Sequence, residues 1–327
     1  MKRVVSMLLA AVLCLSLAAC NGTNSTGSTK RKNEKLVIGF AQIGQESGWR
    51  DAETNDIQWY AARNTDTIEL HFVDAQQKPE NQIKAIRSFI DMGVDVIALS
   101  PVIETGWEQV LTECKNADIP VILVDRGIDA GIDSSLYTTM IASDHVWAGK
   151  QAAIVMNGLL GGSGTVVELQ GTIGASATIQ RERGFDDYIT SKCPGIEIAA
   201  HQSGDFTRDK GREVMASMLE TYDHIDGVFA HNDDMALGAI EAIKEAGLKP
   251  GEDIKIVSVD GVRGALEAIL AGEMNCTVEC TPLLAKQIFD TAADLKAGKT
   301  VDKWIVSDDE IYTDNKVTQE IIDGRTY

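Results

Sequence analysis

Val228-Phe229-Ala230-His231-Asn232-Asp233-Asp234-Met235-Ala236-Leu237-Gly238 carries an apolar run straight into an amphipathic helix, with polar residues at the join. This is a buried strand ending where a helix begins. Leu237, Ile240 and Ile243 form one face of that helix, and Gly247 with the later Pro250 supplies its stop. Ile254 to Val259 then reads as another strand, ending at Asp260-Gly261. In an open parallel sheet the carboxyl ends of all strands share one edge, and ligands bind in the crevice beyond it, so Asn232 and Asp260 point at one place. An earlier stretch repeats the plan. Val94 to Leu99 runs into Ser100-Pro101, a helix follows from about Gly106 to Asn116, and Pro120 to Val124 ends at Asp125-Arg126-Gly127. Two crevices facing one another across a single ligand are the expectation.

Working outward, Lys35 to Ala41 is the first strand, leading into the glycine-bearing loop Gln42 to Arg50. Helices and strands then alternate to the strand Ile254 to Val259, the pattern of parallel sheets with crossover helices. The predicted class is α/β with two doubly wound parallel-sheet domains. At 327 residues the chain suits two such cores. No Pro/Ser/Gly linker separates them, so the crossing near Ser143 is short. The segments Asn275 to Glu279, Pro282 to Ala297 and the strand-like Trp304 to Ile311 come late enough to return to the first domain and back. The expected lobes are 35–142 plus about 280–305, and 143–279 plus about 306–327, joined by a multi-segment hinge.

The first twenty residues belong to neither core. Lys2 and Arg3 precede an apolar segment, Val4 to Leu17, too short for a comfortable membrane span, and Leu17-Ala18-Ala19-Cys20 follows. This reads as a lipoprotein signal with Cys20 as the lipidated residue. Residues 21–34 read as a polar tether spanning roughly 20 Å, which puts the folded part outside a membrane and anchored to it. A net charge of -19 without a basic stripe disfavours nucleic acid. Cys114, Cys193, Cys276 and Cys280 form no C-x-x-C pair; free buried thiols are expected, with a bridge from Cys114 or Cys193 the alternative.

The strand-end loops offer Glu46, Ser47, Trp49, Arg50, Asp125, Arg126, Asn232, Asp260 and Glu279. Planar donors, carboxylates and an indole face suit a polyhydroxylated ligand, because each hydroxyl both donates and accepts and a sugar's C–H face packs on an aromatic ring. Catalysis finds little support. No H-E-x-x-H occurs, Gly161 to Gly164 lacks a following P-loop lysine, and the five histidines lack ligand spacing, so no metal and no cofactor are expected.

Gly44 to Arg50, Val124-Asp125-Arg126, Glu168 to Ser176, Gln202 to Arg208, Ala230 to Met235 and Val259 to Val262 resemble the sugar-binding components of bacterial ABC importers, most closely galactofuranose-binding proteins of the ribose-binding type. The resemblance runs from about Lys35 to Pro282 and thins after Ala297. It implies the periplasmic binding protein type I fold, a monomer, and a monosaccharide delivered to a permease and its ATPase. It further implies sugar contacts from Glu46, Ser47, Trp49 as stacking ring and Arg50, a grip by Asp125 and Arg126, Arg181 reaching in from the second domain with Asn232 and Asp260, and Glu279 on a hinge strand. Arg263 departs from the pattern, which bears on fine sugar specificity. A surface sensor feeding a chemoreceptor or kinase would use the same residues, and the sequence does not separate it from an importer.

Overall fold

The computed structural model describes residues 35–327; the signal segment with Cys20 and the tether 21–34 lie outside the described residues. The first half runs β1 (Leu36–Gln42), α1 (Gly48–Arg63), β2 (Ile68–Asp74), α2 (Pro79–Met92), β3 (Val96–Leu99), α3 (Glu108–Asn116), β4 (Val121–Val124) and β5 (Thr139–Ala142). The second runs α4 (His145–Leu159), β6 (Ser163–Gln170), α5 (Ser176–Lys192), β7 (Gly195–Ser203), α6 (Arg208–Thr221), β8 (Gly227–Ala230), α7 (Asp233–Glu245), β9 (Lys255–Asp260), α8 (Arg263–Leu270) and β10 (Cys276–Glu279). The tail adds α9 (Ala285–Lys296), β11 (Trp304–Val306), β12 (Ile311–Thr313) and α10 (Gln319–Gly324).

These strands build two six-stranded sheets, ordered β11-β5-β4-β3-β1-β2 and β12-β10-β9-β8-β6-β7. Strands β3, β4 and β8 are apolar and buried at every residue, as strands covered on both faces must be. In the first sheet, one face packs Phe40, Ile57, Ile122, Ile288 and Phe289, which brings α1 and α9 against it. The other face packs Ile86, Phe89, Leu111 and Leu123 beneath α2 and α3. The second sheet has a core centred on Val167, Phe185, Phe229, Met235 and Val257.

Three expectations need correction. The run Trp304 to Ile311 is not one strand: β11 joins the first sheet beside β5 and β12 joins the second beside β10, with the polar residues Ser307 to Glu310 crossing between. The second sheet is not wholly parallel, because β12 pairs antiparallel with β10 at its edge, as edge strands of α/β sheets often do. The loop after β1 is shorter than Gln42 to Arg50, since α1 already begins at Gly48. Its cap is Ser47, whose Oγ accepts from Arg50 N–H at 3.2 Å. All four described cysteines are free and buried.

Candidate ligand-binding cleft

A narrow cleft lies where the carboxyl ends of the two sheets meet. Glu46, Ser47, Trp49, Arg50, Asp125 and Arg126 line it from the first sheet, and Arg181, Asn232 and Asp260 from the second. Nine of the ten sequence-derived residues thus converge. Backbone conformation helps aim them: Asp125 (φ 60°) and Asp260 (φ 131°) leave their strands with left-handed φ, which costs of order 1–3 kcal/mol per residue and gathers at ligand clamps.

The first-sheet wall is a charge network. Arg50, 1% exposed, donates from Nη2 to Asp125 at 2.5 Å, from Nη1 to Glu53, and from Nε to Glu46 at 3.2 Å. Arg126 donates to the same Glu46 oxygen. Burial alone would lower the pKa of Arg50, but Glu53, Asp125 and Glu46 outweigh it and hold the guanidinium charged. Burial alone would likewise raise Asp125; the Arg50 guanidinium, with that of Arg126, reverses this and keeps its carboxylate ionised. His145, buried near Arg181, drops to about 4 and is neutral, its Nε2–H donating to the Asp125 carbonyl at 2.9 Å.

On the second-sheet wall Arg181 donates to the His231 carbonyl and lies 3.4 Å from Asp260. Asn232 caps α7, accepting from Met235 N–H at 3.1 Å while its amide donates to the Phe206 carbonyl at 3.0 Å. Ser47 and Asn232 are therefore helix caps as well as cavity residues. Nε of Arg126 and Nε of Arg181 are buried donors with no hydrogen bond inside the protein, a state that calls for a polar partner.

Glu279 does not join this cavity. Its carboxylate accepts from Arg325 at 2.5 Å and from the Tyr327 hydroxyl at 2.8 Å, and it lines a separate pocket with the C-terminal residues. The physical reason is that Arg325 and Tyr327 supply the cation and donor a partly buried carboxylate needs. Conversely, Phe206 and Ala177 line the cleft without having been foreseen. The Phe206 ring lies 4.9 Å from the Arg126 guanidinium and 6.0 Å from that of Arg181, so it is an aromatic floor beneath two cations. Trp49 packs into the core of the second sheet and donates its indole N–H to the Cys280 carbonyl. Further links across the cleft run from Gly48 N–H to Asp234 at 2.7 Å and from Gly127 N–H to Ser176 at 2.8 Å.

Burial raises Asp233, beneath the cleft, to about 7 despite bonds from Ser258, Thr277 and Val262, and burial pushes Asp260 well up. Folding that favours the protonated acid contributes stability fully present below about pH 4, the ordinary carboxyl value, and lost as pH rises through the folded values. Asp125 and His145, both held low, contribute in the opposite sense, Asp125 losing its share only as pH falls below about 4 and His145 as pH falls below about 6.5; between pH 5 and pH 8 the two raised carboxyls outweigh the one imidazole. The melting temperature is therefore expected to be higher near pH 5 than at pH 8. A scan in which it climbs steadily from pH 5 to pH 8 would contradict this.

The periplasmic binding protein domain family matches residues 38–300. The chain belongs to that family. It is 46% identical over 291 residues to the galactofuranose-binding protein YtfQ of Escherichia coli K12, covering 88% of this chain and 90% of that protein. A solved structure from Mycobacterium smegmatis in complex with β-D-fucofuranose is 44% identical with a TM-score of 0.83, covering 88% of this chain and 97% of the other. The binding protein of the arabinose ABC transporter from Shewanella sp. ANA-3, bound to α- and β-L-arabinofuranose, is 44% identical with a TM-score of 0.84, covering 89% and 95%. The two-sheet architecture is the periplasmic binding protein type I fold.

Proposed function

We propose that this chain is an extracytoplasmic binding lipoprotein that captures one monosaccharide in its furanose form, galactofuranose or a related pentose or hexose, and delivers it to an ABC permease. The observation that carries this reading is the convergence of Arg50, Asp125 and Arg126 from one sheet with Arg181, Asn232 and Asp260 from the other on a single cleft. Two free buried guanidinium N–H groups and the ionised Asp125 offer the charge-assisted bonds that sugar hydroxyls accept and donate. Three relatives whose names or bound ligands are furanoses support the ring form.

The lobes proposed are 35–142 plus about 280–305 and 143–279 plus about 306–327, closing about the hinge. Ligand favours closure because only then do both walls touch it. The protein acts as a monomer held at the membrane by lipid on Cys20, without cofactor or catalysis. Calorimetric titration with galactofuranose and L-arabinofuranose is expected to show one site with Kd micromolar or tighter, about -8 kcal/mol. Methyl galactopyranoside, whose ring cannot open, is expected to bind more weakly. The absence of any sugar bound below millimolar would remove the proposal.

A further inference from the structure

Behind the cleft, on the far side of His231, the pairing of β6 with β7 sets Glu168 directly beside His201. That neighbourhood depends on a bulge. Val166 pairs with Ile198 but Val167 with Ala200, so Ala199 is skipped and every later residue of β7 moves by one. A shift of one residue decides which face a strand side chain occupies, and bulges are a usual device for re-aiming one. Helix α5 then lays Asp186 over the same spot, with Glu182 one turn before it. The ligand atoms of Glu168, Asp186 and His201 lie within 4.8 Å of one another.

The polar accounting at this spot does not close within the protein. Glu168 is wholly buried; its Oε1 takes the Nε2–H of His231, whose Nδ1 accepts from Gly171 N–H at 3.4 Å. Its Oε2 is ion-paired with His201 Nδ1 at 3.0 Å, which raises that imidazole to about 9, so a metal cation here takes the place of the His201 proton; Oδ1 of Asp186 is shut from solvent and accepts no hydrogen bond from a protein donor. Two buried carboxylate oxygens from different elements converge with one imidazole nitrogen. Two carboxylates held this close repel one another, and a cation shared between them relieves that repulsion.

We propose that Glu168, Asp186 and His201 form a binding site for a divalent transition-metal cation of the zinc type. Two carboxylate oxygens and one imidazole nitrogen are a zinc donor set, whereas magnesium and calcium prefer oxygen alone. Tetrahedral bonds of about 2.0–2.2 Å place ligand atoms about 3.4 Å apart, within reach of modest side-chain rotation from the present spacing. His201, a third exposed, leaves a path for the ion, and Glu182 Oε1 at 3.9 Å from its Nδ1 or a water completes the shell. Glu168 already has the orienting partner that metal ligands require, in His231. An ion here ties β6, β7 and α5 together beneath Arg181.

The test is zinc chloride titrated into purified, EDTA-stripped protein by calorimetry, with metal content checked by mass spectrometry. One equivalent is expected to bind at micromolar Kd or tighter and to raise the melting temperature. His201→Ala, at a partly exposed position, is expected to weaken binding at least tenfold and abolish the shift. Should that variant fold poorly, Asp186→Asn is to give the same loss. The His71→Ala/His224→Ala double variant, which removes two surface His–carboxylate pairs, is expected to keep full binding. Absence of saturable uptake, or uptake indifferent to His201→Ala and Asp186→Asn, would overturn the site.

Discussion

Replacing Arg50 with methionine is expected to cost about 3–5 kcal/mol of folding stability, the range for removing one partner of a buried ion pair, and to abolish measurable sugar binding. Among the described residues Arg50 is the only cation paired with Glu53, and it also faces Asp125 and Glu46, all inside a wall closed to water. A methionine fills much of the volume but leaves these carboxylates to one another and to Arg126, which reaches Glu46. They then take up protons more readily in the folded state. Stability so gained is present at low pH and lost as pH rises, so the deficit relative to the parent is expected to shrink from pH 7.5 to pH 5. Arg50→Lys keeps the charge but loses the planar fork that serves several acceptors together, and an intermediate loss is expected. Urea unfolding followed by tryptophan fluorescence, with calorimetry for the sugar, reads both effects. A methionine variant within about 1 kcal/mol of the parent and still binding sugar would show that the network is not what shapes this wall.

Most of the fold was legible because parallel strands buried on both faces leave continuous apolar runs, and Val96–Leu99, Val121–Val124 and Gly227–Ala230 are such runs. Where the chain passes between sheets the signal weakens. β11 and β12 have three residues each and sit at sheet edges, so neither imposes its own periodicity; the acidic break Asp308-Asp309 was the available sign that Trp304 to Ile311 is two strands.

The cleft was legible for a different reason. Strand ends fix which loops meet, and polar residues at strand ends are few enough to name. Glu279 fails that logic although its register partner on β9 is Asp260. Its side chain is claimed by Arg325 and Tyr327, residues in a tail that no strand-end rule places. Phe206, three residues past the end of β7, escaped because it is apolar and the strand ends were marked by their polar residues. The sign of its role lay elsewhere in the chain, at Gly171, where a Cβ would stand 2.0 Å from the Phe206 ring. The bulge that brings His201 to Glu168 was equally hidden, since register is a property of two strands and not of either sequence alone.

Gly149→Val is expected to cost about 1–3 kcal/mol or more, the overpacking range, and to weaken sugar binding ten- to a hundredfold without touching the cleft. Helices α4 and α5 cross at a glycine pair. A Cβ at Gly149 would lie 2.1 Å from the carbonyl oxygen of Arg181, and one at Gly184 would lie 2.1 Å from that of Val146. Both obstacles are backbone, so no rotamer relieves them and α5 must move away. Arg181 rides on α5 at the point of contact, and its guanidinium holds the His231 carbonyl and faces Asp260. A charge-assisted hydrogen bond is worth about 1.5–3 kcal/mol, so displacing Arg181 by even a fraction of its bonding distance accounts for the stated loss of affinity. The exposed-face substitution Lys150→Ala on the same helix is the control, and little change is expected from it. If Gly149→Val melts with the parent, α5 has slack to spare and the position of Arg181 is set by the cleft itself. If it melts lower yet binds sugar as tightly, the shift in α5 does not reach the guanidinium, and the coupling of helix packing to the cleft argued above is wrong.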